Sequence, residues 1–335
     1  MPTLQDVAEY AGVSTATVSK VLSNTPYFSE ATRQKVMVAV EALGYRPNLA
    51  ARALSSGKTN IIAVVFPFIH DTIFKDPLVM RVLEGIEAVC TEHDYNILLS
   101  TPRLDDNQPQ AHYLQLLQSG YLQGLIAIDN VEAVSLASYA EKINIPTVVL
   151  GHHPADYTVR SNNYLGGKVL MQHILAKGHR HIGVISVPLA SNMAVRERLL
   201  GMQDVYSHAD MPDEMPMIDS DFSTRGGAQA AHELIAQHPR LTVIIGMNDR
   251  MAIGAIAALN QAGYTVPDEI SVVGYDDIPM ALATQPTLTT INQKPVELGR
   301  AAADLLLRRL DNQIQPTNVV IDPHYIERES LVIRR

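Results

Sequence analysis

Two short amphipathic helices are predicted near the start of the chain, because apolar residues recur there at helical spacing: Val7, Ala8, Ala11, and then Val18, Val21 and Leu22. Thr3 followed by Asp6 has the spacing of a capping-box pair, and Ser14 is placed to cap the second helix. Gly12 permits the backbone reversal between them. The pattern predicts a helix-turn-helix, whose second helix enters a major groove of DNA, and an ordinary helical hairpin is the alternative.

A third helix and a weaker helical segment follow. The third helix is predicted to begin after Ser29, which caps it, and to end at Gly44. Its buried face is an apolar stripe that includes Val36 and Val40. The next segment, residues 47–58, is short, rich in alanine and poor in apolar anchors. Such a helix is unstable alone, so it needs a partner to form or remains a solvated linker.

From Ile61 the pattern changes to apolar runs that alternate with amphipathic helical stretches. Continuous apolar strands between helices predict parallel sheets covered on both faces. The number of elements exceeds what one sheet holds, so we expect two doubly wound α/β lobes. The predicted strands are IIAVVF, NILLS, GLIAI, TVVL, HIGVIS, TVIIG and SVVGY.

Charge is distributed unevenly along the 335 residues. Residues 1–58 carry a net charge of +2, although the whole chain carries −9. A mildly basic head on an acidic body indicates a protein that touches nucleic acid with its head only. Cys90 is the only cysteine, which excludes an intrachain disulfide and predicts a packed core thiol. No signal peptide precedes Leu4 and no apolar run could span a bilayer, so a cytoplasmic protein is expected.

The strings DVAEYAGVS and TVSKVL, and later YRPN followed by A-R-x-L, resemble the lactose/galactose repressor family. The resemblance extends over the whole chain and implies a fold of two parts, an all-α headpiece with a hinge helix and an α/β periplasmic-binding-protein-like domain. It implies a headpiece at 1–46, a hinge at 47–58 and an effector and dimerisation domain at 59–335. Lobe 1 would hold 59–160 and 290–321, and lobe 2 would hold 161–289 and 322–335, with the last strand in lobe 2.

The resemblance also implies a homodimer that binds operator DNA. In the hinge helix, Leu54 would be the wedge that opens the minor groove and Asn48 would begin the helix. A hinge this short would fold only on DNA. The expected DNA-contacting residues are Thr3, Ser14, Thr15, Ala16, Thr17, Ser19, Lys20, Asn48, Ala51 and Leu54.

Ligands of open α/β sheets bind beyond the carboxyl ends of the strands, and polar residues of this chain follow several strands. By resemblance, Arg198, Asn248 and Asp276 match the family's effector ligands. Each residue also has an alternative role. Asn248 could fix a turn, Arg198 and Asp276 could form a surface ion pair, and Phe222 could pack in the core. The expected effector-binding residues are His70, Asp71, His152, Arg198, Phe222, Asn248, Asp276 and Gln293.

Two departures from the family concern the ligand. The loop after the first strand is lengthened by HDTIFK and reads Asp76-Pro77-Leu78-Val79 where the family has Asn-Pro-Phe-Phe. Gly151 stands where some sugar-binding members have an aspartate. We therefore expect a small polar effector, a sugar or sugar derivative that differs from the simple galactosides.

Enzymatic motifs are missing from the sequence, which has no nucleophile elbow, dinucleotide fingerprint or Walker loop. The pair His179 and His181 has no third ligand nearby, so a structural role is expected and neither a metal nor a cofactor is. The sequence predicts a DNA-binding transcriptional regulator, a repressor controlled by its effector. A sugar-binding transport receptor of the same two-lobed fold is the first alternative, and an enzyme on a doubly wound scaffold is the second.

Overall fold

The computed structural model describes residues 2–22, 28–46, 59–66, 76–102, 104–105, 108–109, 111–128, 136–189, 192–209, 211 and 215–334. The chain forms two compact units, Met1–Thr59 and Asn60–Arg335. The predicted hinge with Asn48, Ala51 and Leu54 lies outside the described residues, and so do His70 and Asp71.

Three helices surround a small core in the first unit: α1 (Leu4–Ala11), α2 (Thr15–Leu22) and α3 (Glu30–Leu43). Val18 and Val36 are fully buried in that core. The predicted capping box is confirmed, since Asp6 N donates to Thr3 Oγ1 at 3.3 Å and Thr3 N donates to Asp6 Oδ2 at 2.6 Å. Gly12 reverses the chain with a φ of +65°. Local signals therefore account for the helix-turn-helix.

The second unit begins with a parallel sheet of six strands. In spatial order these are β13 (Thr317–Ile321), β7 (Tyr157–Ser161), β6 (Thr147–Leu150), β5 (Gly124–Ile128), β1 (Ile61–Val65) and β2 (Asn96–Ser100). Ile62 and Val64 face helices α4 (Pro77–Glu92) and α11 (Pro295–Leu310), while Ala63 faces α5 (Ala111–Gln118) and α6 (Leu136–Lys142). Because both faces are covered, β1 is apolar throughout.

A second parallel sheet has four strands, in the order β11 (Ser271–Val273), β10 (Val243–Gly246), β8 (Ile182–Ser186) and β9 (Met217–Asp219). Its core includes residues of α7 (Asn163–Ala176), α8 (Met193–Ser207), α9 (Thr224–Gln237) and α10 (Asp249–Gln261). We refer to the six-stranded sheet with its helices as the first lobe and to this sheet with its helices as the second. Two doubly wound lobes were expected, and two parallel sheets are found.

The last strand, predicted for the second lobe, belongs to a separate two-stranded sheet, and its Tyr325 packs against the core of the second lobe. β14 (His324–Ile326) pairs antiparallel with β12 (Thr290–Asn292), and beyond it Val272 N on β11 donates to Ser330 O at 2.9 Å. The segment is held further by buried His179, whose Nε2 lies 2.9 Å from Val332 O. Burial lowers the pKa of His179, so a neutral, structural histidine fits. A short antiparallel pair, β3 (Leu104–Asp105) and β4 (Gln108–Pro109), and a 3₁₀ helix, Pro279–Leu282, complete the described elements.

Within the described ranges, no helix combines the length and apolarity that crossing a membrane requires. The same residues contain no group of three histidine, cysteine, aspartate or glutamate side chains arranged to hold a metal ion. Cys90 is buried in the core of the first lobe, and this burial raises the pKa of its thiol to about 11.

Candidate functional site

Helix α2 has one buried face and one exposed face. Val18 and Val21 are buried in the headpiece core, whereas Thr15, Ala16 and Lys20 are exposed. These three lie at the start of the helix and one turn later, which is where a recognition helix reaches base edges. The exposed face presents an amine, a hydroxyl and a methyl group at the surface of the headpiece.

The other predicted DNA-contacting hydroxyls of the headpiece also hold the helices. Ser14 Oγ accepts the N–H of Thr17 at 3.1 Å and lies 2.9 Å from Thr17 Oγ1. Thr3 Oγ1 donates to Asp6 Oδ2 at 2.9 Å. Ser19 is half-buried. Capping therefore fixes the position of these hydroxyls at the headpiece surface, whatever further contact they make with DNA.

A cavity of about 500 Å³ opens between the two lobes of the second unit, at the carboxyl ends of their strands. Its first-lobe wall is largely apolar and includes Phe66, Leu78, Val79, Val82, Ile128, Leu150 and Leu298. The second lobe contributes most of the polar wall, which includes Asn163, Asn192, Arg198, Ser220, Asp221, Asn248, Arg250 and Asp276. A cavity of this size and mixed lining is typical of a small-molecule site.

Five predicted effector residues line this cavity: Arg198, Phe222, Asn248, Asp276 and Gln293. His152 does not line it. Its neighbour Gly151 takes that place, and His152 Nε2 lies 3.3 Å from Glu197 Oε1 instead. Because His152 follows a strand closely, its place at the cavity edge of the sheet could be predicted. The direction in which its imidazole points could not be predicted.

Arg198 is a buried cation that the surrounding protein holds in one orientation. Its Nε donates to Asn163 Oδ1 at 3.0 Å, and its Nη1 donates to Met247 O at 2.6 Å. The guanidinium carbon lies 3.8 Å from the ring centroid of Tyr275, and Nη2 lies 3.8 Å from Asp276 Oδ1. A planar donor fixed in this way presents its remaining N–H groups in a defined direction.

Asp276 is a buried carboxylate in a strained position. Its φ of +122° is one that non-glycine residues rarely adopt, and Asp277 follows with +56°. Gln293 Nε2 donates to Asp276 Oδ1 at 2.6 Å. Burial raises the pKa of Asp276 to about 7, although Arg198 lowers it. A strained backbone and a buried carboxylate with a raised pKa are both typical of residues in functional sites.

Asn248 and Phe222 combine structural contacts with a place on the cavity wall. Asn248 Oδ1 accepts the N–H of Met251 and so caps α10, while its Nδ2 donates to Phe222 O at 3.1 Å. Phe222 has a φ of +63° and packs partly against the second-lobe core. Asp249, by contrast, is completely buried behind this wall, where it accepts hydrogen bonds from Thr290 Oγ1 and Ile278 N.

The sequence did not reveal several polar residues of the cavity. Asp76 and Arg250 approach each other from opposite lobes, with Nη1 and Oδ2 3.7 Å apart. Arg160 lines the cavity and pairs with Glu197 at 3.3 Å. Asp76 could have been found as a helix cap, because it is an acidic residue directly before a proline. No signal in the sequence pointed to its partner Arg250, 174 positions away.

Comparison with known proteins identifies both parts of the chain. Residues 3–48 match the family described as bacterial regulatory proteins, lacI family, and residues 171–331 match the periplasmic binding protein-like domain. The HTH-type transcriptional repressor PurR of Photobacterium profundum is 33% identical over 99% of both chains. The ribose operon repressor of Escherichia coli is 33% identical over 98% of this chain and 100% of its own length.

Solved structures support the same assignment. The lac repressor dimer bound to operator and the anti-inducer ONPF is 26% identical, with 99% of each chain covered and a TM-score of 0.85. These relatives are repressors rather than enzymes or transport receptors, and the family that the headpiece motifs resemble is confirmed. The chain belongs to the LacI family and is a DNA-binding transcriptional repressor with a small-molecule effector.

Proposed function

We propose that this repressor binds a palindromic operator as a homodimer and that a sugar-like effector in the cleft controls its affinity for DNA. The observation that supports the site is the buried pair of Arg198 and Asp276 on the cavity wall, with Nη2 and Oδ1 3.8 Å apart. Asn248, Gln293 and Phe222 complete the effector-binding set.

The chemistry of this set suits adjacent hydroxyl groups. Asp276 accepts hydrogen bonds, Arg198 donates them, and the amides of Asn248 and Gln293 do both. Phe222 supplies an apolar surface for the C–H face of a sugar ring. The name of the ribose operon repressor is consistent with a carbohydrate ligand in this family.

On the DNA side, α2 reads base edges and the hinge residues Asn48, Ala51 and Leu54 contact the minor groove. A homodimer presents two headpieces, so its operator has two half-sites related by symmetry. The headpiece residues Thr3, Ser14, Thr17 and Ser19 complete the DNA contacts of each half-site. A repressor that binds the chromosome works in the cytoplasm, and we place this chain there.

The experiment is a DNA-binding titration with an operator selected from random duplexes, carried out with and without a panel of sugars, sugar phosphates and nucleosides. A sugar is expected to change the DNA affinity by about 5–150-fold and to bind the isolated protein in calorimetry. A panel in which only nucleosides act would contradict the sugar class. A panel without any effect on DNA affinity would contradict control through this cleft.

Lys20→Ala is expected to weaken operator binding by about 1–3 kcal/mol and to relax the preference at one base pair, because a lysine on this face can donate to guanine O6 and N7. Titrations on the selected operator and on random duplex measure both effects. Lys35→Ala removes the same charge from the exposed surface of α3 and serves as the control. Equal losses on both DNAs for Lys20→Ala would show a phosphate contact instead.

A further inference from the structure

The charges on the cavity wall compensate one another. Each of its three arginines lies near a carboxylate: Arg160 Nη1 is 3.3 Å from Glu197, Arg198 Nη2 is 3.8 Å from Asp276, and Arg250 Nη1 is 3.7 Å from Asp76. Asp221 adds a further acid to the wall. Among the described residues that line the cavity, none is a lysine or histidine. This part of the wall therefore has no uncompensated cation.

Helix N-termini at the cavity would otherwise attract anions. Three of them begin at cavity residues whose side chains already accept a backbone N–H. Asp76 accepts from Leu78 at 3.0 Å, Asn192 from Val195 at 3.0 Å and Asn248 from Met251 at 2.8 Å. At α4 the capping group is itself an anion, which further reduces the attraction for a second one.

Arg250 is held less tightly than the other two arginines. Arg198 is 7% exposed and donates to two protein acceptors, and Arg160 donates to both oxygens of Glu197. The side chain of Arg250 is 20% exposed, and its ion pair with Asp76 of the other lobe, at 3.7 Å, is longer than a hydrogen bond. Asp276 also acts on Arg250 through space, but Asp76 is the acid with which Arg250 forms an ion pair, so Asp76 has the larger effect on the charge that Arg250 offers to a ligand.

Two hydroxyls indicate what the cavity does bind. Ser161 and Ser220 line the cavity, and the Oγ atom of each is buried without a hydrogen-bond partner among the described residues. Buried polar atoms need partners, and a hydroxyl can both donate and accept. A rotation about χ1 would turn either hydroxyl towards a ligand hydroxyl, whereas a phosphate dianion would meet the acidic side chains of Asp76, Asp221 and Asp276 on the same wall.

We propose that the cleft selects an uncharged polyhydroxyl compound against its phosphate ester, and that Asp76 determines this selection by neutralising Arg250 across the cleft. The proposal rests on the proposed function and adds to it the charge of the ligand and a specificity-determining residue outside the predicted effector set. Removal of the Asp76 charge frees a guanidinium at the cavity for an anion.

The first test measures the binding of inorganic phosphate by calorimetry at constant ionic strength. The wild-type protein is expected to show no binding at millimolar phosphate, and Asp76→Asn is expected to bind at least tenfold more tightly than wild type. Asparagine caps a helix as well as aspartate does, so α4 keeps its start. The double variant Asp76→Asn with Arg250→Gln is expected to lose the gain.

Asp221→Asn is the matched control, because it removes the same charge from the same wall. Ser223 Oγ donates to Asp221 at 2.6 Å, and Arg225, whose charge helps to lower the pKa of Asp221, is not among the residues that line the cavity, so the change frees no arginine there. An equal gain of phosphate affinity in this control would overturn the role of Asp76 and Arg250. Phosphate binding to the wild type at millimolar concentration, or no gain in Asp76→Asn, would overturn the selection itself.

The second test compares ribose with ribose 5-phosphate and glucose with glucose 6-phosphate, on the wild type. A neutral sugar that binds is expected to do so at least 100-fold more tightly than its ester, and an ester that binds as well as its parent would contradict the proposal. If no neutral sugar binds but the phosphate results hold, the sugar class of the proposed function fails while the charge selection stands.

Discussion

Asp276→Asn is expected to stabilise the ligand-free protein while it abolishes effector binding. Burial raises the pKa of Asp276 from 3.8 to about 7, and this value already includes the attraction of Arg198. The ionised carboxylate is therefore less favourable in the folded than in the unfolded protein, by about 2–4 kcal/mol at pH 8. An asparagine removes that cost, but it also replaces one acceptor oxygen by an NH₂ donor, which cannot accept a hydrogen bond from an effector hydroxyl.

The stability of the wild-type protein is expected to depend on pH through Asp276. A folded pKa above the unfolded one means that the folded protein binds more protons between about pH 4 and 7, so stability is lost as the pH rises through that range and levels off above it. The Asp276→Asn variant does not lose stability in this way, because asparagine does not titrate. The difference in melting temperature between variant and wild type is therefore expected to be larger at pH 8 than at pH 5.

Arg198→Ala is the matched variant, with the opposite effect on stability. It leaves the Asp276 carboxylate buried without its cation and breaks the hydrogen bonds to Asn163 and Met247, so the protein is expected to melt at a lower temperature. Both variants are expected to retain DNA affinity and dimerisation and to lose the effector response. If either still binds ligand at wild-type affinity in calorimetry, the pocket is misplaced.

Much of the fold could be predicted because its signals are local. The capping pair of Thr3 and Asp6 and the turn at Gly12 need only neighbouring residues, and the structure contains both. The same holds for the apolar strands β1 and β10, which have helices on both sides of their sheets. β7 was missed because Tyr157–Ser161 alternates apolar with polar side chains, and it pairs with β13, more than 150 positions away.

The candidate site divides in the same way. Arg198 and Asp276 were recognisable from their motifs, and both line the cavity. Contacts that depend on tertiary structure were not recognisable. Arg250 meets Asp76 from another lobe, and His152 meets Glu197. Strand order predicts which residues reach one edge of a sheet, but side-chain rotamers and the approach of the second lobe decide which of them face a ligand.

Gly167→Ala is expected to destabilise the second unit by about 3 kcal/mol, at the upper end of the cost of inserting one methyl group. Helices α7 and α8 cross so closely that a Cβ at Gly167 would lie 1.9 Å from Arg198 O. The clash is with backbone rather than with a flexible side chain, so α8 has to move. Because Arg198 is part of α8, the same change is expected to weaken effector binding. Urea unfolding and calorimetry measure the two effects.

Gly263→Ala provides the control, since a Cβ there meets nothing within 4 Å and only its φ of +90° disfavours alanine. Its expected cost is about 1 kcal/mol, without any effect on the cleft. The backbone favours alanine by about 1 kcal/mol in the interior of α7 and disfavours it at Gly263, so a loss of stability in Gly167→Ala is assigned to the helix crossing alone. A Gly167→Ala protein as stable as the wild type would mean that α7 and α8 separate at little cost, and that their contact does not hold Arg198 in place.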